Sequence, residues 1–114
     1  MISKSLRIGR GPLVEYLMRK GRRIHGRFLS LKIIPSKDLH HRFCVVVSKK
    51  TLPHAVDRNR VRRRTYAALA YALNLHPLTK TCYDIAVVCS AAARDIAFDA
   101  LRSEIIDHIK RLSL

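Results

Sequence analysis

An α+β fold built on one small sheet is the architecture that this sequence predicts, and three patterns carry the prediction. Apolar residues recur at helical spacing in three stretches and alternate with polar ones in two others. One late run, Ile85-Ala86-Val87-Val88-Cys89, is apolar almost without a break. The resulting order is helix, two or three strands, helix, strand, helix. At 114 residues the chain is long enough for one real core and too short for two.

Gly11-Pro12 followed by Leu13, Val14, Leu17 and Met18 reads as a short amphipathic helix, with proline in the first turn and Gly21 just past the end. Arg19, Lys20, Arg22 and Arg23 crowd its C-terminal end, where cations favour the helix dipole. From Ile24 to Ile34 the pattern is extended, with Leu29, Leu31 and Ile33 on one side and Phe28, Ser30 and Lys32 on the other. Pro35-Ser36-Lys37-Asp38 reads as a turn, and Arg42 to Ser48 as a second strand with Phe43, Val45 and Val47 on one face. The short gap between the two strands predicts an antiparallel hairpin.

Leu52-Pro53 opens a helix expected to reach about Leu73, since proline is tolerated in a first turn. At 100° per residue, Val61, Thr65, Ala68, Leu69 and Ala72 fall on its core-facing stripe. Asn59, Arg60, Arg63 and Arg64 point the other way, and Arg58 and Arg62 lie on the border. A loop from Asn74 to Thr81 leads into Tyr83–Ser90, whose continuous apolar character marks a strand covered on both faces, central or parallel. Arg94 to Leu112 closes the chain as a helix, with Ile96, Phe98, Leu101, Ile105, Ile109 and Leu112 on its apolar side.

The charge is as informative as the periodicity. Six of the eight residues from Asp57 to Arg64 carry cationic or amide side chains, and the chain's net charge is +15. From Met1 to Arg64 there are 18 basic residues against three acids, Glu15, Asp38 and Asp57; beyond Arg64 there are five of each. A molecule polarised this way presents one cationic surface and one neutral surface, which suits a phosphate backbone. A membrane is the competing polyanion. The chain has no apolar run of 18 residues, and Met1 to Pro12 lacks the apolar stretch of a signal peptide, so no membrane association is expected.

Cys44, Cys82 and Cys89 form no CxxC pair, and the six histidines, His40-His41 among them, show no ligand spacing. A reducing cytoplasm and no protein-held metal are the expectations. The eight acids are scattered, with five beyond Arg64, so the paired carboxylates or His-carboxylate pair of a stand-alone nuclease are not evident. A small ribosomal or nucleoid protein would share the size and charge.

The run Val45-Val46-Val47-Ser48-Lys49-Lys50, then Ala55-Val56, then Arg58-Asn59-Arg60-Val61-Arg62-Arg63, resembles the signature of the bacterial ribonuclease P protein subunit. The similarity spans nearly the whole chain, from Lys20-Gly21-Arg22-Arg23 and Arg27-Phe28-Leu29 through the signature to Tyr83-Asp84-Ile85-Ala86-Val87-Val88 and a closing helix. A ribosomal or nucleoid protein would not require this Lys-Lys to Arg-Asn-Arg arrangement. The resemblance implies a single RNA-binding domain in α-β-β-β-α-β-α order, a four-stranded sheet packed with three helices. It also implies a left-handed βαβ crossover shared with domain IV of translocation factor G. The general rule favours the right-handed connection, so the handedness comes from the resemblance alone.

The implied role is that of the ribonuclease P protein component, which joins a catalytic RNA that cleaves the 5′ leader from precursor tRNA. Catalysis and its Mg²⁺ ions belong to the RNA, so no catalytic residue, metal site or protein-held cofactor is implied. The partners are the catalytic RNA, as a 1:1 complex with a monomer, and precursor tRNA, in the cytoplasm.

Carried over by position, Lys49, Lys50, Arg58, Asn59, Arg60, Arg62 and Arg63 fall where the family meets its RNA, and Arg64 extends the run where an apolar residue is usual. Guanidinium groups give phosphate planar bidentate donors, and Asn59 can meet a base edge or 2′-hydroxyl. In the family's leader cleft, between the first helix and the open sheet face, the two helix aromatics become Val14 and Met18 and the sheet tyrosine becomes Leu31. A family arginine three positions beyond Arg63 is Tyr66 here. Phe28 and Tyr16 are the aromatics able to compensate, and the loss of rings predicts a leader contact that is weaker or more electrostatic.

Overall fold

A computed structural model describes residues 7–8, 11–36, 41–76 and 82–112. Gly11, at φ 136°, a conformation that residues with side chains rarely adopt, leads into helix α1 (Pro12–Lys20). Lys32 Nζ donates to the Met18 carbonyl at 2.7 Å, satisfying one of the open acceptors at the end of that helix. Strands β1 (Arg22–Ile24), β2 (Leu29–Pro35) and β3 (Arg42–Val46) follow, then helix α2 (Ala55–Leu75), strand β4 (Tyr83–Cys89), a 3₁₀ turn (Ala91–Arg94) and helix α3 (Phe98–Leu112).

The strands form one mixed sheet in the order β1-β2-β4-β3. The expected hairpin between the second and third strands is therefore absent: β4 lies between them, antiparallel to β2 and parallel to β3. Its apolar run accounts for this, because a strand covered on both faces gains most from the centre of the sheet. The extended segment expected from Ile24 to Ile34 is interrupted by the turn around Gly26: Ile24 closes β1, which begins at Arg22, and β2 begins only at Leu29 and pairs back on it. At Gly26 a Cβ would collide with the Leu29 carbonyl and the side chains of His108 and Glu104. The last helix starts at Phe98, because the 3₁₀ turn takes up the residues around Arg94.

The period-two pattern places Leu31, Phe43, Val45, Ile85 and Val87 on one face, packed against Val61, Leu69, Leu101 and Ile105 of α2 and α3. The five stripe residues expected on the second helix are all buried. On the other face, Cys44 and Ala86 pack beneath Leu17 of α1, with Ile8 beside them. Arg42 clamps the parallel pair by a two-pronged contact to the buried Asp84, at 3.0 and 3.1 Å. Residues 37–40 and 77–81, which include part of the expected turn, His40 and most of the expected loop, lie outside the described residues.

Among the described residues, no helix is long and apolar enough to cross a membrane, and no group of three or more His, Cys, Asp or Glu side chains is placed to hold a metal ion.

Candidate nucleic-acid interface

Strand β3 ends in a turn built by Ser48. The Thr51 N–H donates to Ser48 Oγ at 3.1 Å, and the N–H of Leu52 to the Ser48 carbonyl at 3.0 Å. This turn holds Lys49 and Lys50 exposed at the edge of the sheet. Leu52 is buried and anchors the entry to α2, which leaves the cationic half of that helix at the surface.

The cations of α2 divide into two sets. Asn59, Arg60 and Arg63 are exposed, and neither Arg60 nor Arg63 meets an acid among the described residues. Arg58 and Arg64, by contrast, are tied into the fold. Arg58 Nη1 donates to the carbonyls of Leu52 at 2.9 Å and Pro53 at 2.7 Å. Arg64 donates to the carbonyls of Arg94 at 3.3 Å and Ile96 at 2.6 Å. The expectation that Arg64 points outward with Arg60 and Arg63 is corrected here: its guanidinium fastens α2 to the segment before α3. Arg62, on the border as expected, is held by Asn59 Oδ1 at 2.9 Å. Asp57 sits 3.8 Å from Arg94, so the one acid at the start of this helix is turned toward a cation and away from the basic face.

Beside this face runs a groove of about 650 Å³, lined by Arg7, Val14 and Glu15 on one side, Arg62 and Tyr66 on the other, and the edge of β3 along its floor. Tyr66 is fixed in the wall: its hydroxyl oxygen accepts from the Val45 N–H at 3.3 Å, and the Arg7 guanidinium lies 5.8 Å from its ring centroid. Burial is the main reason that its phenol is held above the ordinary tyrosine value, so it stays protonated and can still donate its own proton. Burial, helped by Asp84, pushes the Cys44 thiol up to about 11, leaving a neutral sulfur in the wall and no thiolate.

Of the expected cleft residues, the structure brings Val14 and Tyr66 to this groove and separates the other three from it. Met18 is half-buried, packed beneath α1 against the small core around Leu17 and Cys44. Leu31 is 2% exposed and buried beneath α2 and α3, on the sheet face away from α1, because it shares the pleat phase of Ile33 and Val87. Phe28 packs on that same core, with the Arg27 guanidinium 5.2 Å from its ring centroid. Tyr16 is exposed on α1 and does not line the groove.

Two contributors went unread in the sequence. Arg7, paired by a short bridge to Phe43, lines the groove beside Val14 and Glu15. Glu104 of α3 accepts hydrogen bonds from the backbone N–H groups of Arg27, Phe28 and Leu29, and so fixes the turn between β1 and β2. Its place at the polar edge of a helical pattern gave no signal of that role.

A family model described as Ribonuclease P matches residues 2–113 of the chain. The chain is 30% identical over 96 residues to the ribonuclease P protein component of Clostridioides difficile (strain 630), covering 84% of this chain and 82% of that protein. It is 37% identical over 97 residues to the protein of the same name from Thermus scotoductus, covering 85% of this chain and about half, 54%, of that longer relative. The solved structure of the Staphylococcus aureus RNase P protein shares the fold, with a TM-score of 0.72 over 96% of both chains at 22% identity.

Proposed function

The chain belongs to the ribonuclease P protein family, and from that membership we propose that it is the protein subunit of a cytoplasmic ribonuclease P, assisting the endonucleolytic removal of the 5′ leader from precursor tRNA. In this reading a catalytic RNA breaks the bond with its own Mg²⁺ ions, and the protein binds, orients and neutralises. The observation that carries the proposal is the exposed Asn59, Arg60 and Arg63 face of α2, without acidic partners among the described residues, beside Lys49 and Lys50 and a groove of about 650 Å³.

The α2 face grips phosphates of the catalytic RNA through charge-assisted hydrogen bonds, and Lys49 and Lys50 add point charges at the strand end. The groove takes the leader: Val14 and the edge of β3 offer apolar surface, Tyr66 a ring, and Arg7 and Arg62 a charge on either side. Neutralising phosphates near the cleavage site lowers the Mg²⁺ needed to fold and pair the RNAs. A groove filled only by a leader favours precursor over mature tRNA.

Reconstitution tests this directly. With a bacterial catalytic RNA at limiting Mg²⁺, addition of the chain should raise leader removal, while the chain alone should cleave nothing. If six to ten phosphates are contacted, affinity for the RNA should fall by about 10³ to 10⁵ between 50 and 200 mM salt. Cleavage by the protein alone, or a flat salt response, would overturn the proposal.

A further inference from the structure

Glu15 is out of place in a surface meant for a polyanion. Of the three acids among the first 64 residues, Asp57 is turned toward Arg94 and Asp38 lies outside the described residues, whereas Glu15 is exposed and lines the groove. An acid in the first turn of α1 favours the helix dipole, but a carboxylate there also repels any phosphate entering the groove. That repulsion becomes an asset if the carboxylate meets a base edge and not the backbone.

The surroundings fit one nucleotide. Arg7 and Arg62 are the cations of the groove and suit a phosphate, and the ring of Tyr66, held in place from Val45, suits stacking. A carboxylate accepts and cannot donate, so it favours bases that present N–H groups: the exocyclic amines of cytosine and adenine, and the adjacent N1–H and amine of guanine, which can engage both oxygens. Uracil presents a single N–H flanked by two carbonyl oxygens, which a carboxylate repels.

Resting on the reading that this groove holds the leader, we infer that Glu15, Tyr66, Arg7 and Arg62 form a subsite for one leader nucleotide, in which Glu15 selects an amino-bearing base, guanine above all, against uracil. Glu15 is thereby a specificity-determining residue, and Tyr66 supplies stacking indifferent to base identity.

The test is a base scan of the leader. Precursor tRNAs carrying each of the four bases at each leader position in turn are bound to the reconstituted holoenzyme, with the wild-type chain and with Glu15→Gln. At one position uridine should bind about five- to hundredfold more weakly than guanosine. Glu15→Gln, whose amide both donates and accepts, should bring the two within about twofold by improving uridine, a gain that loss of structure cannot produce; unchanged thermal unfolding of the variant checks its integrity. A flat scan in a holoenzyme that still prefers precursor to mature tRNA overturns this subsite and leaves the leader-binding reading standing. Discrimination that persists in Glu15→Gln removes Glu15 from the role. A wild-type chain whose presence creates no leader-dependent affinity fells the underlying reading, and this inference with it.

Discussion

Arg63 and Arg64 are neighbours in sequence with opposite duties in the structure, and replacing each by alanine should separate them cleanly. Arg64 gives two hydrogen bonds to backbone carbonyls, at 3.3 and 2.6 Å, across the junction between α2 and the segment leading into α3. Bonds from a charged donor contribute about 1.5–3 kcal/mol each when well sheltered, and the half-exposed position here reduces the pair to about 1–2 kcal/mol. In a domain of 114 residues that corresponds to a fall in Tm of about 4–8 °C for Arg64→Ala. Arg63 is exposed and makes no such bond among the described residues, so Arg63→Ala should stay within about 0.5 kcal/mol of wild type. On catalytic RNA the order reverses. Arg63→Ala should lower the slope of log affinity against log salt by about 0.7–0.9, the loss of one phosphate contact, while Arg64→Ala should leave it nearly unchanged. Thermal unfolding followed by circular dichroism, paired with a salt titration of binding, reads both effects. A larger Tm loss in Arg63→Ala than in Arg64→Ala, or equal losses of salt slope, would refute the division of α2 into a gripping set and a fastening set.

Two further outcomes concern the turn between β1 and β2. Glu104→Ala strips the N–H groups of Arg27, Phe28 and Leu29 of their acceptor and should cost about 2–4 kcal/mol in urea unfolding, with Glu104→Gln recovering part; a loss below about 0.5 kcal/mol would show that the turn holds without it. His108 is buried beside this turn, and burial pushes its imidazole below the ordinary value against the opposing pull of Glu104. The unfolded chain therefore binds the proton first as pH drops through about 6.5, and the stability held by neutral His108 is present above that pH and lost below it. Urea midpoints at pH 7.5 and pH 5 should differ less in His108→Gln than in wild type; an equal difference in both would remove His108 from the acid sensitivity.

Much of this molecule can be read along the chain wherever the controlling pattern is local. The stripe Val61, Thr65, Ala68, Leu69 and Ala72 follows from helical geometry, and the central place of Tyr83–Cys89 from its lack of polar interruptions. The pairing of β2 with β3 did not follow, because nearness in sequence favours a hairpin while burial of β4 on both faces favours putting it between them, and burial is the stronger of the two effects. The same limit applies to the site. Arg60 and Arg63 were placed by angle alone, but the partners of Arg58 and Arg64 are carbonyls that the angle cannot reveal. Leu31 illustrates a further limit: a match to a cleft position gives its strand, whereas the pleat phase shared with Val87 decides which side of the sheet it serves.

The strand that joins β2 to β3 in the interior of the sheet is the last one to be synthesised. Apart from the bridge to Arg7, residues 42–46 have no strand among the described residues on which to pair until residues 83–89 emerge, an interval of about two to seven seconds at ordinary elongation rates. Throughout that interval the arginine helix is already made, while the scaffold that will hold it is not. A nascent chain in this state carries its cations beside the RNA of the ribosome itself, without the scaffold that arranges them. Closing the sheet thus does more than complete a core: it converts indiscriminate stickiness into a shaped surface.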